Sequence, residues 1–203
     1  MSGQPETEQR IREAAFRALG KHGYADLSIK DIGEELGQNP SIIYHYFDSK
    51  DELLLSMLDV FVELFVGRQA ERPLTDPEAE LRRFVDQMLN PTHGEQAMSS
   101  PPADMETVAS RVYVELWAHA TWDSDFRRET TQVEERLRAA LARILRAGIE
   151  TDRFRPVDAE QTADHIFFLL QQGIHARTTT NRDDIERIRT LIDAIIADIS
   201  RED

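Results

Sequence analysis

Few side chains in this sequence are placed to catalyse anything. Glu115 and His119 stand four residues apart, so on a helix they share a face and could hold one edge of a metal ion. No other histidine or acidic pair has ligand spacing, and His165 and His175 read as surface or interface residues. The chain has no cysteine, which removes thiol catalysis, disulfides and Cys-ligated zinc together. It shows no Ser/His/Asp order, no glycine-rich phosphate loop and no catalytic carboxylate pair. The expectation is a protein that is not an enzyme and needs no metal or cofactor.

The elements that position these residues are read from periodicity. Nearly every long segment has apolar residues at spacings of three and four, and none alternates with period two over strand length, so the fold class is all-α. Ile11, Ala14, Ala15, Ala18 and Leu19 form one stripe, predicting a first helix over 6–22 ended by Gly23, with Tyr24 and Leu27 turning back toward it. Ser28-Ile-Lys-Asp31 reads as an N-cap box, and Gly37 follows Leu36 where a left-handed residue would end a very short helix. Asn39-Pro40 sets a cap before a proline at the first helical position, predicting another short helix from Pro40 to about Tyr46. Ser49-Lys-Asp-Glu52 opens a longer helix over 53–72 that carries Leu53, Leu54, Met57, Leu58, Phe61, Leu64 and Phe65. Beyond a break at 72–77, helices are expected over 77–90, 104–120, 124–148, 158–177 and 182–200. A loop lies at 91–103, and Phe154-Arg-Pro156 is a tight connector.

Two short capped helices between longer ones form the arrangement that sets a recognition helix into a DNA major groove. Ile29, Ile32, Leu36-Gly37, Ile43-Tyr44-His45-Tyr46-Phe47 and Ser49-Lys50-Asp51-Glu52-Leu53 resemble, in order and spacing, the DNA-binding signature of the TetR family over about residues 8 to 56. The resemblance implies a homodimeric transcriptional regulator, a repressor that leaves double-stranded operator DNA when a small effector binds. It would have a helix-turn-helix over 6–52 and a helical effector-binding and dimerising part over 53–203, the helix 53–72 joining them. It implies that Tyr44 donates to a phosphate, that Lys50 meets one at a helix start, and that Ser28 and Lys30 lie along the backbone. Pro40, Ser41 and His45 would face base edges beside the cap residue Asn39, while Ile43, Tyr46 and Phe47 point inward. Asn39 and Ser41 replace the family's common serine and glycine, and Gly33 its usual alanine, which bears on operator choice and stability.

After residue 73, Phe84, Met88, Tyr113, Trp117, Trp122, Phe126, Phe167 and Phe168 could line an apolar cavity, though large apolar side chains at helical spacing are mostly packing. Glu115-Leu-Trp-Ala-His119 and Gly148-Ile-Glu-Thr-Asp-Arg-Phe-Arg-Pro156 are similar to segments of TetR-family effector domains, particularly haloarchaeal ones. An apolar or amphipathic effector is expected among Phe84, Met88, Tyr113, Trp117 and Phe167, with a tyrosine hydroxyl and His119 as polar handles. Ile166, Leu169 and Gly173, then Ile188, Ile192 and Ile195, lie on stripes wide enough for a two-fold interface, where the resemblance places a four-helix contact. The runner-up is a ligand-binding or interaction protein that keeps the fold but has lost DNA binding.

Charge supplies the reason to entertain that runner-up. The chain of 203 residues carries 38 acidic against 24 basic residues, a net −14, and only Lys21, Lys30 and Lys50 are lysines. From Met1 to Arg72, 8 basic face 13 acidic residues, a balance of −5, whereas most DNA-binding modules are basic. The local remedy would gather Lys21, Lys30 and Lys50 on the DNA face and leave Glu34, Glu35, Glu63 and Glu71 elsewhere. The composition suits a salt-accumulating source, where screening shortens repulsion, and equally an arginine-favouring genome with an ordinary acidic surface. The start, MSGQPETEQR, has no apolar leader core, and no apolar run approaches the ~20 residues of a bilayer span, so a cytoplasmic protein is expected.

Overall fold

A computed structural model describes residues 3–62, 74–90, 98, 101–182 and 184–201. Among these, the helices are α1 (Gly3–Asp26), α2 (Ile29–Leu36), α3 (Lys50–Val62), α4 (Pro77–Leu89), α5 (Met105–His119), α6 (Ser124–Glu150), α7 (Ala159–Thr179) and α8 (Ile185–Ile199). A 3-10 segment, Pro40–His45, lies between α2 and α3. The described residues form no β-strand beyond one isolated bridge, Phe154 to Ser200. The expected loop at 91–103 and the end of the expected 53–72 helix lie largely outside them.

The first compact unit joins α1, α2, the 3-10 segment and α3 with α5 and the opening of α6. The α1 stripe, Ile11, Ala14, Ala15, Ala18 and Leu19, is fully buried, as are Ile32, Ile43, Leu53, Leu54, Val112 and Leu116. Each such leucine or isoleucine contributes about 1.5–3 kcal/mol by leaving water. α5 runs close along α1 because Gly20 presents no side chain: a Cβ there would stand 2.6 Å from Val108 Cγ1. The expected division at residue 52 therefore does not coincide with the compact packing, which takes α5 into the same body as the N-terminal helices.

The second unit packs α4, α7, α8 and the larger part of α6. Its core holds Leu81, Phe84, Leu89, Ile166, Phe167, Leu170, Ile192 and Ile196. The 151–157 connector folds onto the end of α8: Arg155 N–H donates to Ile199 O (2.7 Å), Arg201 N–H to Arg153 O (3.0 Å), and Phe154 is fully buried. Glu78 on α4 ties this clasp down, accepting from Arg153 Nε (3.0 Å), Arg82 Nη2 (3.0 Å) and Ser200 Oγ (3.2 Å). Burial disfavours its charge, yet the bonds from Arg82, Ser200 and Arg153 together hold its carboxyl below the ordinary value.

Four of the six residues expected at a dimer interface are used inside the chain. Ile166, Ile188 and Ile192 belong to the core, and a Cβ on Gly173 would meet Leu89 Cδ2 at 3.0 Å and Ile185 and Ile188 at 3.4 Å. α7 and α8 cover each other and α7 also covers α4, so much of each wide apolar stripe is buried within this unit. Leu169 and Ile195 are half-buried, and the large apolar side chains that these helices expose are Phe168 and Leu191, 52% and 48% exposed.

The tightest glycine of this unit gives a test. A Cβ on Gly148 would fall 2.0 Å from Cδ2 of the buried Phe154 ring, which has nowhere to retreat. Gly148→Ala is expected to destabilise by about 1–3 kcal/mol as an overpacked site, against the usual gain from removing a helical glycine. Thermal melting of the two proteins decides: an unchanged or raised Tm would refute the packing described.

Candidate nucleic-acid interface

The helix-turn-helix is built from caps. Ser28 Oγ accepts Asp31 N–H (3.3 Å) while Asp31 Oδ2 accepts Ser28 N–H (2.8 Å), and the bonds from Ser28 hold the Asp31 carboxyl below its ordinary value. Gly37, at φ 70°, ends α2, with Gln38 N–H returning to Gly33 O (3.1 Å). Asn39 Oδ1 accepts Ser41 N–H (2.9 Å) and starts the segment Pro40–His45. The short helix expected here is a 3-10 turn, with Ile42 N–H to Asn39 O and Tyr46 N–H to Ile43 O, both 3.0 Å, and Phe47 N–H also returning to Ile43 O (3.0 Å). Ile43 and Phe47 anchor the segment in the core, and Tyr46 is half-buried.

Ser28, Lys30, Asn39, Ser41, Tyr44 and His45 are all exposed on this unit, Tyr44 to 58%, with Pro40 half-buried. A large ring so open to solvent on an otherwise well-packed unit is available to an external surface. Lys30 pairs with Glu34 (3.5 Å), and Lys21 with Glu35, which Arg17 also reaches (3.4 Å). The hydrogen bond from Lys21 is the main reason the Glu35 carboxyl sits below its ordinary value. The expectation that Glu34 and Glu35 lie away from the lysines is therefore corrected: each neutralises one. Glu63 and Glu71 lie outside the described residues.

Lys50 is placed differently from expectation. Its ammonium donates to Tyr24 O (3.1 Å) and Leu27 O (3.0 Å) and lies 4.4 Å from the centre of the Tyr24 ring. It clamps the turn that the kink at Gly23 makes of the end of α1. Tyr24 is itself held on every side. Its hydroxyl donates to Asp51 Oδ1 (2.7 Å), its N–H to Glu115 Oε2 (3.0 Å), and its ring stacks on His119 at 3.7 Å. Burial, then the bond and charge of Asp51, raise the Tyr24 hydroxyl above its ordinary pKa. So Glu115 and His119, read as a metal edge or a polar handle, both turn to Tyr24, and His119 also meets Phe126 edge-on at 4.5 Å.

A second contact went unread in the sequence. A Cβ on Gly33 would fall 2.7 Å from Pro40 Cγ and 3.1 Å from its Cα. The glycine that replaces the usual alanine thus admits the proline that opens the reading segment. The change had been noticed, but not the neighbour that needs it.

The residues expected around an effector fall in two units, each described by itself. Phe84, Met88 and Phe167 are core residues where α4 and α7 pack. On α5, Tyr113 is buried and stacks on half-buried Trp117 at 3.9 Å between ring centres. Phe126 is buried, whereas Trp122 and Phe168, named with them, are 87% and 52% exposed.

This architecture, a capped helix-turn-helix followed by a longer helical part, is that of a helix-turn-helix transcription factor. The chain matches the model of the tetR family of bacterial regulatory proteins over residues 11–57 and that of the BetI-type transcriptional repressor C-terminal region over residues 77–201, and it belongs to the TetR family. It is 26% identical to the HTH-type transcriptional regulator BetI of Brucella suis over 126 residues, 62% of this chain and 59% of that protein. The matched stretch therefore spans about three-fifths of that relative's length. It is 26% identical to a TetR transcription regulator from Haloarcula marismortui, covering 97% of this chain and 100% of the other, with a TM-score of 0.79. A transcriptional regulator from Saccharomonospora viridis, solved in complex with choline, is also 26% identical, covering 98% and 100%, with a TM-score of 0.77.

The different placements of Tyr44 and Lys50 generate a paired test. Tyr44→Phe is expected to weaken DNA binding by a similar factor on every sequence while leaving Tm unchanged, because an exposed hydroxyl on a phosphate carries no base identity. Lys50→Ala is expected to lower Tm as well, since bonds from a charged donor contribute about 1.5–3 kcal/mol. Melting curves beside filter-binding isotherms check both, and a Lys50→Ala protein with the wild-type Tm would contradict the clamp.

Proposed function

We propose that the chain is a DNA-binding transcriptional repressor that acts as a homodimer on a two-half-site operator and releases it when a small cationic amphiphile of the choline type binds. The observation that carries the DNA reading is the exposed set Ser28, Lys30, Asn39, Ser41, Tyr44 and His45 on a unit whose inward residues, Ile43 and Phe47, are fixed in a core. Tyr44 and Lys30 serve phosphates, and Ser41 and His45 serve base edges. Lys50 serves the reading unit by holding its turn. Work on DNA places the protein in the cytoplasm, and no helix among the described residues is long and apolar enough to cross a membrane.

Two supports favour a quaternary ammonium effector. The Saccharomonospora viridis structure contains choline, and α5 carries a stacked aromatic pair, Tyr113 and Trp117. A trimethylammonium group over an aromatic face gains about 0.5–2 kcal/mol, more as water is excluded. This narrows the expected apolar or amphipathic effector to a cation, which a chain of net −14 also attracts. The exposed Phe168 and Leu191, with half-buried Leu169 and Ile195, are the side chains left to an outward two-fold contact, which would supply two Pro40–His45 reading segments for two half-sites.

Mobility shift on the DNA upstream of the chain's own coding sequence tests the regulator reading. A retarded complex released by millimolar choline is expected. No complex at any salt would favour a TetR-fold protein that has lost DNA binding, and release by nucleotides or sugars rather than choline would sink the effector reading.

Salt gives a second test, because the lysines near the reading segment bring Glu34 and Glu35 with them. A dimer neutralising four to six phosphates would ordinarily lose affinity with a log–log slope of about −0.9 per phosphate. Carboxylates carried to the phosphates take up cations, which offsets that release, so a shallow slope is expected from about 0.1 to 2 M KCl, with a rising Tm as self-repulsion is screened. A steep ordinary slope with a constant Tm would show that the acidity plays no part in binding.

A further inference from the structure

We propose that Glu115 and His119 of α5 are positioning residues for DNA binding: they hold Tyr24, and through it the reading segment, so operator affinity depends on the state of α5. The inference rests on the reading of the chain as a DNA-binding regulator and names the route by which that activity is regulated.

The geometry is specific. Glu115 Oε2 accepts the Tyr24 backbone N–H at 3.0 Å, at the point where α1 is broken by Gly23 (φ 71°, ψ 164°). Gly23 also makes the room, since a Cβ there would stand 3.1 Å from Glu115 Oε1. One turn along α5, the His119 ring stacks on the Tyr24 ring, 3.7 Å between centres and 24° from parallel, and is backed edge-on by Phe126 at 4.5 Å. From the other side, α3 takes the Tyr24 hydroxyl with Asp51 and the turn's two carbonyls with Lys50. Tyr24 is thus the shared member of a chain running from α5 to the first turn of α3, and α2 begins only five residues later. Gly20 keeps α5 in close register with α1 over Val108, so α5 cannot shift without moving Glu115 and His119 against Tyr24.

The same helix carries Tyr113 and Trp117. At about 100° per residue, these lie some 200° around α5 from Glu115 and His119 respectively. A ligand engaging that aromatic pair acts on a rod whose other side holds the turn. A hydrogen bond and a ring stack both fail over about 1 Å of displacement, so small rotations of α5 have a discrete effect on Tyr24.

The experiment compares reach with charge. Operator affinity is measured for Glu115→Asp, Glu115→Gln, His119→Ala and His119→Phe, beside amide hydrogen exchange of the DNA-free proteins. Glu115→Asp keeps the charge and withdraws the acceptor, and His119→Ala removes the stack; each is expected to weaken binding about tenfold and to speed exchange over 24–46 but not in α7 or α8. Glu115→Gln and His119→Phe keep the acceptor and the stack and are expected within about twofold of wild type. Unchanged affinity in Glu115→Asp and His119→Ala overturns the proposal, as does equal loss in the two conservative variants, which would mean general packing. If wild type binds no DNA, the regulator reading fails by itself and exchange decides: faster exchange confined to 24–46 supports the positioning role, and unaltered exchange overturns it.

Discussion

The structure of the first unit depends on one turn. α1 must stop and the chain must reverse into α2, which needs a residue at φ 71° and leaves the next peptide N–H without a helical partner. Gly23 satisfies the first requirement and Glu115 the second. Tyr24 then offers a ring, a hydroxyl and a carbonyl to two other helices, and each is taken up: the ring by His119 of α5, the hydroxyl by Asp51 and the carbonyl by Lys50, both of α3. With that turn fixed, the direction of α2 follows, and the Gly33–Pro40 contact passes it to the reading segment. A 3-10 segment of six residues has little stability of its own. Its pose is borrowed from the caps and contacts on either side.

Charge is handled pairwise. Several basic side chains of the first unit are matched to carboxylates, Lys21 and Arg17 to Glu35 and Lys30 to Glu34, and the second unit sets arginines against Glu78, Asp86 and Asp198 in the same way. Exposed pairs of this kind contribute at most about 1 kcal/mol each, so they serve more to suppress self-repulsion than to hold the fold. On the proposed function, a phosphate would compete with a carboxylate for the same cation, which would shift weight to Tyr44, Ser41 and His45.

The helices and caps were legible in the sequence because they rest on local rules: Ser28-to-Asp31, Gly37 and Asn39-Pro40 all act within a few residues. The family was legible for the same reason, since its signature is compressed into that region. What the sequence hid was long-range. Nothing local says that Lys50 spends its donors on carbonyls 23 and 26 residues away, or that Glu115 reaches Tyr24 across 91 residues. Gly173 read as a site of close approach, which it is, but the approaching side chains are the chain's own Leu89, Ile185 and Ile188. Periodicity gives which face is apolar, not which neighbour covers it.

On the proposal above, the Tyr24 turn sets operator affinity together with the segment it holds in place. Operator affinity of Tyr24→Leu, taken beside its Tm, is the most direct measurement. Leucine keeps apolar bulk but gives up the stack on His119, the face offered to Lys50 and the bond to Asp51. The account predicts a folded protein whose operator affinity falls by more than about tenfold, roughly 1.4 kcal/mol. Wild-type affinity in a folded Tyr24→Leu protein would contradict it.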